Sequence, residues 1–600
     1  MLTQADISAE VEGQTVTSRF RDTVREYPDR VALRAKDGDD WVEYTYADYG
    51  ENACRVASGL HLAGINPGDR VVLMMRNIPE FHWTDMGVLL AGGTPVSIYN
   101  SSAPEQVEYL VSHCGATIAI VEDDEFLERI LQVWDQLPDL HSVYVLHTPE
   151  AGLPEGVNGW DKLVGGDPVD LDAAAAIAKP DDLLTLIYTS GTTGPPKGVM
   201  LSHHNITWLS ASYDHVPQPA RSGMRLVSYL PMAHIAERAV SYYMATILGQ
   251  EVTTCPDPKL LAQYLPECRP QLFFAVPRVW EKLYGGIQSA LAADPERKQK
   301  FAEAVAVGDQ VRKLREAGEE IPQELQETYD FVDAVAFSNV KALIGLDQCE
   351  IAVTGAAPIP PEIINFFSNI GIPLSSVYGL SETTGPLTWT HEDRRTATVG
   401  PAIPGCEVIL GEDGEVLGRG GNIFLGYLND PERTAEVMDE EGWFHTGDIG
   451  EFDDDGQLRI VDRKKELIIT AGGKNISPAN LEAALKAHNL VGQVCVIGDN
   501  KPFLSALIVV DGDVAPAWAA SQGIEFTGMA DFIEEPAVQQ VISDWVTEAN
   551  SQFSRVEQIK KYTLLGEEWE ADSEFLTPTM KLKRRGVHAT YADEIEAMYN

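Results

Sequence analysis

The sequence predicts an α/β protein with a large N-terminal domain of doubly wound sheets and a β-subdomain, followed by a small C-terminal α+β domain. Between residues 18 and 130, helical spacings alternate with short apolar runs, as in parallel sheets covered by helices. The Gly-rich stretch 405–434 is β-like, and a charged stretch at about 462–466 separates two strand-like runs. We therefore place a hinge there, between domains spanning residues 1–463 and 464–600.

Apolar periodicity and turn residues locate the first elements of the chain. Helices are predicted over 18–26, 46–63, 79–91 and 104–113, and strands over 69–75, 94–99 and 116–121. A Gly-, Asp- and Ala-rich stretch, 158–180, is expected to be a surface connection. The charged stretch 295–330 alternates in sign, which favours a solvated helical hairpin rather than a site.

The composition excludes several classes of function. With 45 basic and 91 acidic residues the formal charge is −46, which argues against nonspecific nucleic-acid binding and general attraction to anionic lipid. The seven cysteines are dispersed without a C-x-x-C pair, so neither a disulfide framework nor a zinc site is expected. The N-terminus lacks a secretory pattern, and the uncharged window 86–104 is too polar to span a membrane. Together these observations favour a cytoplasmic protein.

The stretch 188–199, YTSGTTGPPKGV, follows an apolar run that is predicted to be a buried strand. Its glycines allow positive φ and close approach of an anion to backbone N–H groups. Further donors and a positive charge come from Thr189, Ser190, Thr192, Thr193 and Lys197. Because two prolines precede the lysine, the pattern differs from the G-x-x-x-x-G-K-[ST] nucleotide loop. It indicates either a polyphosphate-binding loop or a flexible surface turn.

Three later segments carry further candidates. The segment 228–238, SYLPMAHIAER, joins a strand end to a helix, so its histidine could have a capping and packing role. Small residues at 355–358, GAAP, follow a predicted strand and leave room for a planar ring at the carboxyl edge of a sheet. In 377–385, VYGLSETTG, Tyr378 could stack on a base, and Glu382 is an oxygen ligand suited to Mg²⁺ beside phosphates.

Two candidates near the C-terminal end have plain alternatives. Asp448 follows a glycine and precedes another predicted strand, so it could be an ordinary turn aspartate. The cationic cluster 576–585, LTPTMKLKRR, is either a basic surface patch or part of a site in this acidic protein.

In this order, the motifs resemble the signatures of the AMP-forming adenylate synthetases, which include acyl-CoA synthetases, luciferases and peptide-synthetase adenylation domains. The resemblance covers about residues 18–590, and LPMAHIAER, the helical stretch 295–330 and LTPTMKLKRR are most similar to bacterial long-chain fatty acyl-CoA synthetases. It implies that ATP and Mg²⁺ activate a long-chain fatty acid as an acyl-adenylate, with release of pyrophosphate. Transfer to CoA would then release AMP, and the small C-terminal domain would be mobile, swivelling between the two steps.

The resemblance also implies roles for individual residues. The catalytic residues would be Lys581, Glu382 and Thr189, of which Glu382 and Thr189 would also hold Mg²⁺. The nucleotide would be bound by Thr189, Ser190, Gly191, Thr192, Thr193, Gly194, Lys197, Gly355, Ala356, Ala357, Tyr378, Gly379, Ser381, Asp448 and Arg463. The remaining roles would be those of hinge residues Asp462 and Lys465, CoA-binding residues Gly472 and Gly473, and acyl-pocket residues His234 and Met232. Lys583 is the alternative register for the C-terminal lysine.

Other interpretations stay open at this point. An adenylate-forming ligase could load another acid, or pass the acyl group to another acceptor such as an acyl-carrier protein. A non-catalytic nucleotide-binding scaffold could share the fold, although Lys197, Glu382, Asp448 and a C-terminal lysine are all present. Peripheral contact with the inner face of the plasma membrane and a homodimer are also left open, and no nucleic-acid partner is expected.

Overall fold

The computed structural model of the chain describes residues 2–189, 195–292, 294–390, 398–469, 475–570, 573–577 and 580–600. Its architecture is mixed α/β, with a large N-terminal part and a smaller C-terminal part, as the sequence predicts. Parallel sheets covered by helices come first along the chain, and mainly antiparallel sheets follow.

Helices and strands alternate up to the predicted phosphate loop, because apolar periods of 3.6 and 2 follow one another in the sequence. In chain order the elements are α1 (Gln4–Glu10), α2 (Val16–Glu26), β1 (Val31–Asp37), β2 (Asp40–Thr45), α3 (Tyr46–Leu62), β3 (Arg70–Met74), α4 (Pro79–Leu90), β4 (Thr94–Ser97), α5 (Pro104–Cys114), β5 (Ala116–Val121), α6 (Asp124–Leu131), β6 (Ser142–Val145), β7 (Val157–Gly159), α7 (Trp160–Val164), α8 (Leu171–Ala175) and β8 (Leu183–Thr189).

The middle of the chain continues this alternation and adds a group of longer helices. The elements are β9 (Lys197–Ser202), α9 (His203–Asp214), β10 (Arg225–Ser228), α10 (Ile235–Glu237), α11 (Ala245–Leu248), β11 (Glu251–Thr254), α12 (Leu261–Cys268), β12 (Leu272–Ala275), α13 (Pro277–Ala292), α14 (Pro295–Glu316), α15 (Gln323–Val332), α16 (Ser338–Leu343), β13 (Ile351–Thr354), α17 (Pro361–Asn369), β14 (Leu374–Leu380) and β15 (Gly385–Trp389). A π-helix, Arg238–Met244, joins α10 to α11.

The last third of the chain is richer in antiparallel strands. Its elements are β16 (Glu407–Leu410), β17 (Glu415–Arg419), β18 (Gly426–Tyr427), α18 (Pro431–Val437), β19 (Phe444–Phe452), β20 (Leu458–Arg463), β21 (Ile468–Ile469), β22 (Asn475–Ile476), α19 (Pro478–Lys486), β23 (Val491–Ile497), β24 (Leu504–Val510), α20 (Ala515–Gln522), α21 (Met529–Glu534), α22 (Pro536–Asn550), β25 (Ile559–Leu565), α23 (Arg584–Thr590) and α24 (Ala592–Tyr599).

Three sheets form the framework of the large N-terminal part. A five-stranded parallel sheet has the order β4-β3-β5-β6-β7. Two four-stranded sheets, β10-β11-β1-β2 and β12-β13-β14-β15, are parallel except for one antiparallel edge strand each. Ligands of such sheets bind beyond the carboxyl ends of the strands, so the ends of β13 and β14 are where a site is expected.

Helix α4 is an interior helix. All of its residues except Glu80 are buried, because apolar side chains cover every side of it. It packs against α3 and against strands β1, β3 and β4. Polar residues on this helix therefore lie in the protein interior, a position that helix spacing alone does not reveal.

Two stretches differ from the prediction. The stretch 158–180 is more than a surface connection, since it forms β7, α7 and α8, and Leu163 is fully buried. Gly59 of α3 approaches it so closely that a Cβ would lie 1.9 Å from the Leu163 carbonyl oxygen. The β-like stretch 405–434 ends in a helix, because Asp430 accepts a hydrogen bond from the Arg433 N–H and caps α18.

The charged stretch 295–330 is helical, as predicted. It forms α14 and most of α15, and α14 buries Phe301 and Val311. No helix among the described residues is long and apolar enough to cross a membrane.

Helix α13 and the turn after β24 join the large and small parts of the molecule through ion pairs. Arg278 pairs with Asp511, and the Lys282 Nζ lies 3.0 Å from the Asp513 Oδ2. The other carboxylate oxygen of Asp511 accepts the Val514 N–H at 3.1 Å, which holds its side chain in place. We call these two ion pairs the interdomain clamp.

Candidate active site

The flanks of the predicted phosphate loop are the end of β8 and the start of β9. These strands pair antiparallel, with Thr189 opposite Lys197. The Lys197 ammonium lies 4.5 Å from the centroid of the Tyr427 ring, and burial lowers its pKa while the Glu382 charge opposes that change. The intervening residues, Ser190, Gly191, Thr192, Thr193 and Gly194, lie outside the described residues.

Helix α5 holds both flanks of this loop. The Tyr109 hydroxyl donates to the Pro196 carbonyl at 2.9 Å, and the Tyr188 hydroxyl is 2.8 Å from the His113 Nδ1. Tyr109 and His113 stack on one another, since residues four apart face the same side of a helix. Our sequence reasoning missed both residues, and the i, i+4 spacing of two ring side chains on α5 was the available signal.

Small residues line the carboxyl end of β13. Gly355 follows the strand directly, and a Cβ there would lie 2.7 Å from a methyl group of Val377. Ala356 has a left-handed backbone, with φ of 71°. Ala356 is half-buried and Ala357 is exposed, and their small side chains leave room for a planar ring at this edge of the sheet.

The segment after β14 brings Glu382 into contact with β18. The Tyr427 hydroxyl donates to the Glu382 Oε1 at 2.8 Å, and the Phe424 N–H donates to the Glu382 carbonyl at 2.9 Å. Gly379 admits no side chain, since a Cβ would lie 1.8 Å from the Gly385 carbonyl oxygen. The Glu382 carboxylate is therefore held in a fixed position near Lys197.

Asp448 is a strand residue, so the alternative that it is an ordinary turn aspartate was wrong. It lies in β19 opposite Arg463 of β20, and the Arg463 Nε is 3.3 Å from its Oδ1. The Tyr378 hydroxyl donates to its Oδ2 at 2.7 Å. Burial raises the pKa of this carboxyl, and the Arg463 charge and the Tyr378 hydrogen bond oppose that rise. Tyr378 thus contacts Asp448 through its hydroxyl.

Lys581 reaches this site from the C-terminal part of the chain. It lines a cavity together with His234, Ala356, Gly379 and Ser381. Lys581 retains exposed surface. Partial desolvation by the surrounding cleft, together with the Arg463 charge, nevertheless lowers its pKa to about 8. Lys583, the alternative register, instead donates to the Ser573 carbonyl at 2.8 Å.

His234 caps the helix that forms one wall of the cavity. Its Nδ1 accepts the Ala236 N–H at 3.2 Å, so in the neutral ring the proton is on Nε2. Burial, with the Lys581 charge nearby, lowers the His234 pKa to about 3, which keeps the ring neutral. Met232 is buried in the main hydrophobic core and is not among the described residues that line the cavity.

The cavity and its mouth contain about 1070 Å³ of empty space, part of which is open to solvent. The polar end of the cavity is formed by Lys581, His234 and Ser381. Apart from Gln250, the rest of the lining is mainly apolar and includes Val216, Leu248, Leu272, Phe274, Ile351 and Trp389. A long apolar tail with a polar head group matches this distribution.

The predicted hinge lies at the end of β20. The Asp462 Oδ2 accepts the Ser477 hydroxyl at 2.6 Å and the Ala479 N–H at 3.1 Å, so it ties β20 to the start of α19. Lys465 is exposed in the turn that follows. Gly472 and Gly473 lie outside the described residues.

Few of the described side chains in the site could serve as metal ligands. Over the described ranges, no three His, Cys, Asp or Glu side chains are grouped so that they could hold an ion. Mg²⁺ beside phosphates keeps several waters and needs only one or two carboxylates. Glu382, with the Thr189 hydroxyl at the end of β8, fits that requirement.

Two family models match most of the chain. Residues 20–428 match the family model described as AMP-binding enzyme, and residues 465–600 match the AMP-binding enzyme C-terminal domain. The chain is 35% identical to the long-chain-fatty-acid–CoA ligase ACSBG2 of Xenopus laevis, over 98% of this chain and 84% of that protein. It is 34% identical to the long-chain-fatty-acid–CoA ligase FadD15 of Mycobacterium tuberculosis, over 98% of each.

A solved structure shares the fold. The anthranilate CoA ligase AuaEII, in complex with anthranoyl-AMP, superposes with a TM-score of 0.73 at 18% identity. The match covers 96% of this chain and 97% of that one.

Proposed function

Since the chain belongs to the AMP-binding enzyme family, we propose that it is an ATP-dependent, AMP-forming ligase that joins long-chain fatty acids to CoA. The observation that carries the proposal is the apolar cavity with Lys581, Ser381 and His234 at its polar end. Relatives of similar length carry the name long-chain-fatty-acid–CoA ligase at 34–35% identity over 98% of the chain, which supports the substrate class.

In the first step, a carboxylate oxygen of the fatty acid attacks the α-phosphorus of ATP. An O–P bond forms, the bond to the β-phosphate breaks, and pyrophosphate leaves. No general base is needed, because the carboxylate is already ionised at neutral pH. Lys581 would bridge the carboxylate and the α-phosphate, Asp448 would bind the ribose hydroxyls, and Lys197 with the loop donors would bind the outer phosphates. Mg²⁺, held at Glu382 and Thr189, would offset the negative charge of the phosphates.

In the second step, the CoA sulfur attacks the acyl carbon as a thiolate. A C–S bond forms, the C–O bond to AMP breaks, and AMP leaves. Because Lys581 occupies the cavity mouth, a thiol could enter only after the small domain swivels at Asp462 and Lys465. Gly472 and Gly473 would then border the pantetheine arm. A cytoplasmic location, peripheral membrane contact and a homodimer stay predictions.

The proposal is tested by measuring pyrophosphate and AMP release with Mg-ATP across short- to long-chain acids, with and without CoA. We expect CoA-dependent AMP formation that is strongest among the long-chain acids. Pyrophosphate release without thioester would contradict CoA as the acceptor and favour another one, such as an acyl-carrier protein. Inactivity toward every acid would overturn the proposed function.

The pH dependence of adenylation follows from Lys581. The lysine is cationic below its pKa of about 8, so kcat/KM for ATP should be flat below that pH and fall by about tenfold per pH unit above it. An ordinary lysine, with a pKa of about 10.4, would delay this fall by about 2.4 pH units. The control is Lys581→Arg, which stays charged and should lose the falling limb at pH 8 while reacting more slowly. A profile that is unchanged in Lys581→Arg would contradict the assignment.

The interdomain clamp should favour the pose in which Lys581 faces the cavity. Asp511→Asn removes the charge that pairs with Arg278 but keeps the oxygen that accepts the Val514 N–H. We expect thioester formation from supplied acyl-adenylate to rise about threefold to tenfold, and adenylation to slow slightly. Single-turnover measurements of the two steps provide the check, with the exposed Lys282→Gln as a weaker comparison. Equal losses in both steps would contradict a role in choosing the pose.

A further inference from the structure

A fully buried ion pair lies behind one wall of the acyl cavity. Arg238 and Asp85 are each 0% exposed and pair through Nη2 and Oδ2. Arg238 also donates to the Ser97 Oγ and to the Tyr243 Oη, both at 2.7 Å. The guanidinium is therefore fixed to α4, to β4 and to its own helix at the same time.

The helix that carries Arg238 forms the cavity wall. Arg238–Met244 is a π-helix, a rare conformation that occurs often at functional sites. Ala239, Val240 and Met244 face the cavity, whereas Arg238 and Tyr243 face the interior. Any change in the rotation or register of this helix would move three cavity-lining side chains.

The polar cluster around the ion pair is not arranged for maximum stability. The Arg238 Nε and the His82 Nε2 are buried and have no hydrogen-bond partner among the described residues. Burial and the Arg238 charge lower the His82 pKa to about 3, so His82 is neutral and adds no second positive charge beside the guanidinium. A buried ion pair can often be replaced by apolar residues without loss of stability, so its presence here points to a different role.

We infer that the Asp85–Arg238 pair positions the π-helix and thereby sets which acyl chain lengths the cavity accepts. Two hydrogen bonds of one guanidinium hold the helix against α4 and β4, and a third, to Tyr243, fixes the guanidinium to its own helix. Together they specify a single register, which apolar packing alone would not. Neither residue lines the cavity, so both act on the substrate through Ala239, Val240 and Met244. The inference rests on the proposed function and names residues that determine its specificity.

The test compares wild type with Asp85→Leu/Arg238→Met, which removes both charges and keeps apolar volume in their place. The kcat/KM for CoA-dependent AMP formation is measured across medium- and long-chain acids. We expect the ratio between the best long-chain acid and a medium-chain acid to fall at least about tenfold, while the KM for ATP changes less than about twofold. Arg238→Lys keeps the charge but fewer donors, and it should shift the ratio partway even if the double variant folds poorly.

A matched control removes an arginine ion pair elsewhere. Arg312 and Glu316 pair at 2.6 Å on α14, and neither residue lines the cavity. Arg312→Met/Glu316→Leu should leave the chain-length profile unchanged. A uniform fall in kcat/KM at every chain length, or an unchanged profile in Arg238→Lys and in the double variant, would overturn the inference while leaving the proposed function intact. A wild type inactive toward every acid would overturn both.

Discussion

Replacing Lys581 by alanine should lower acyl-adenylate formation by about 10²–10³-fold, the range seen when one donor to a developing negative charge is lost. Lys581 is the cationic residue that lines the cavity mouth beside Ser381 and His234. Thioester formation from supplied acyl-adenylate should change little, because Lys581 has left the cavity by that step. Pyrophosphate release measures the first step, and thioester formation from synthetic acyl-adenylate measures the second.

Lys583→Ala is the matched control for this prediction. The Lys583 ammonium donates to the Ser573 carbonyl, so its loss should have a modest structural effect on both steps alike. If Lys581→Ala reduced the two steps equally, Lys581 would not be the lysine of adenylation. If Lys583→Ala produced the selective loss instead, the register of the motif would be wrong by two residues.

The second large effect is expected at Glu382. Glu382→Gln keeps the size and an oxygen acceptor but removes the negative charge, so pyrophosphate release should fall by about 10²-fold or more. The Mg²⁺ concentration needed for half-maximal rate should rise, since a neutral amide is a weak ligand for a hard cation. Initial rates of pyrophosphate release across a Mg²⁺ titration measure both quantities.

Tyr427→Phe separates charge from positioning at this residue. It removes the hydroxyl that donates to Glu382 and leaves the carboxylate intact. A hydrogen bond to a charged group is worth about 1.5–3 kcal/mol, but the carboxylate keeps its charge in this variant, so a loss of about tenfold, smaller than that of Glu382→Gln, is expected. A Glu382→Gln enzyme with an unchanged Mg²⁺ response would rule out Glu382 as the metal ligand.

Local patterns in the sequence were enough for the fold class and for many of the elements. The strand β8, for example, is an apolar run of strand length, which is enough to predict a buried strand. The positions of Asp448 and Arg238 depend instead on which elements pack together. Asp448 lies in a strand because β19 pairs with β20. Arg238 is buried because its partner Asp85 lies on the interior helix α4.

The candidate site shows the same division. The structure brings Lys581 and Ser381 together at one cavity, and it joins Tyr378 to Asp448 and Tyr427 to Glu382. Motif order indicated these segments, but the hydrogen bonds between them are tertiary. The roles of residues 190–194 and of residues 472 and 473 stay predictions, because they lie outside the described residues.

The interdomain clamp has a consequence for the order of events in a catalytic cycle. A bias of about 1.4 kcal/mol toward one pose would leave about a tenth of the molecules in the other. An enzyme waiting for substrate would then keep its thiol entrance shut in most molecules, and CoA would usually meet the pose that serves adenylation. Two ion pairs between the large and small parts of the molecule would thus favour activation of the acid over entry of the acceptor.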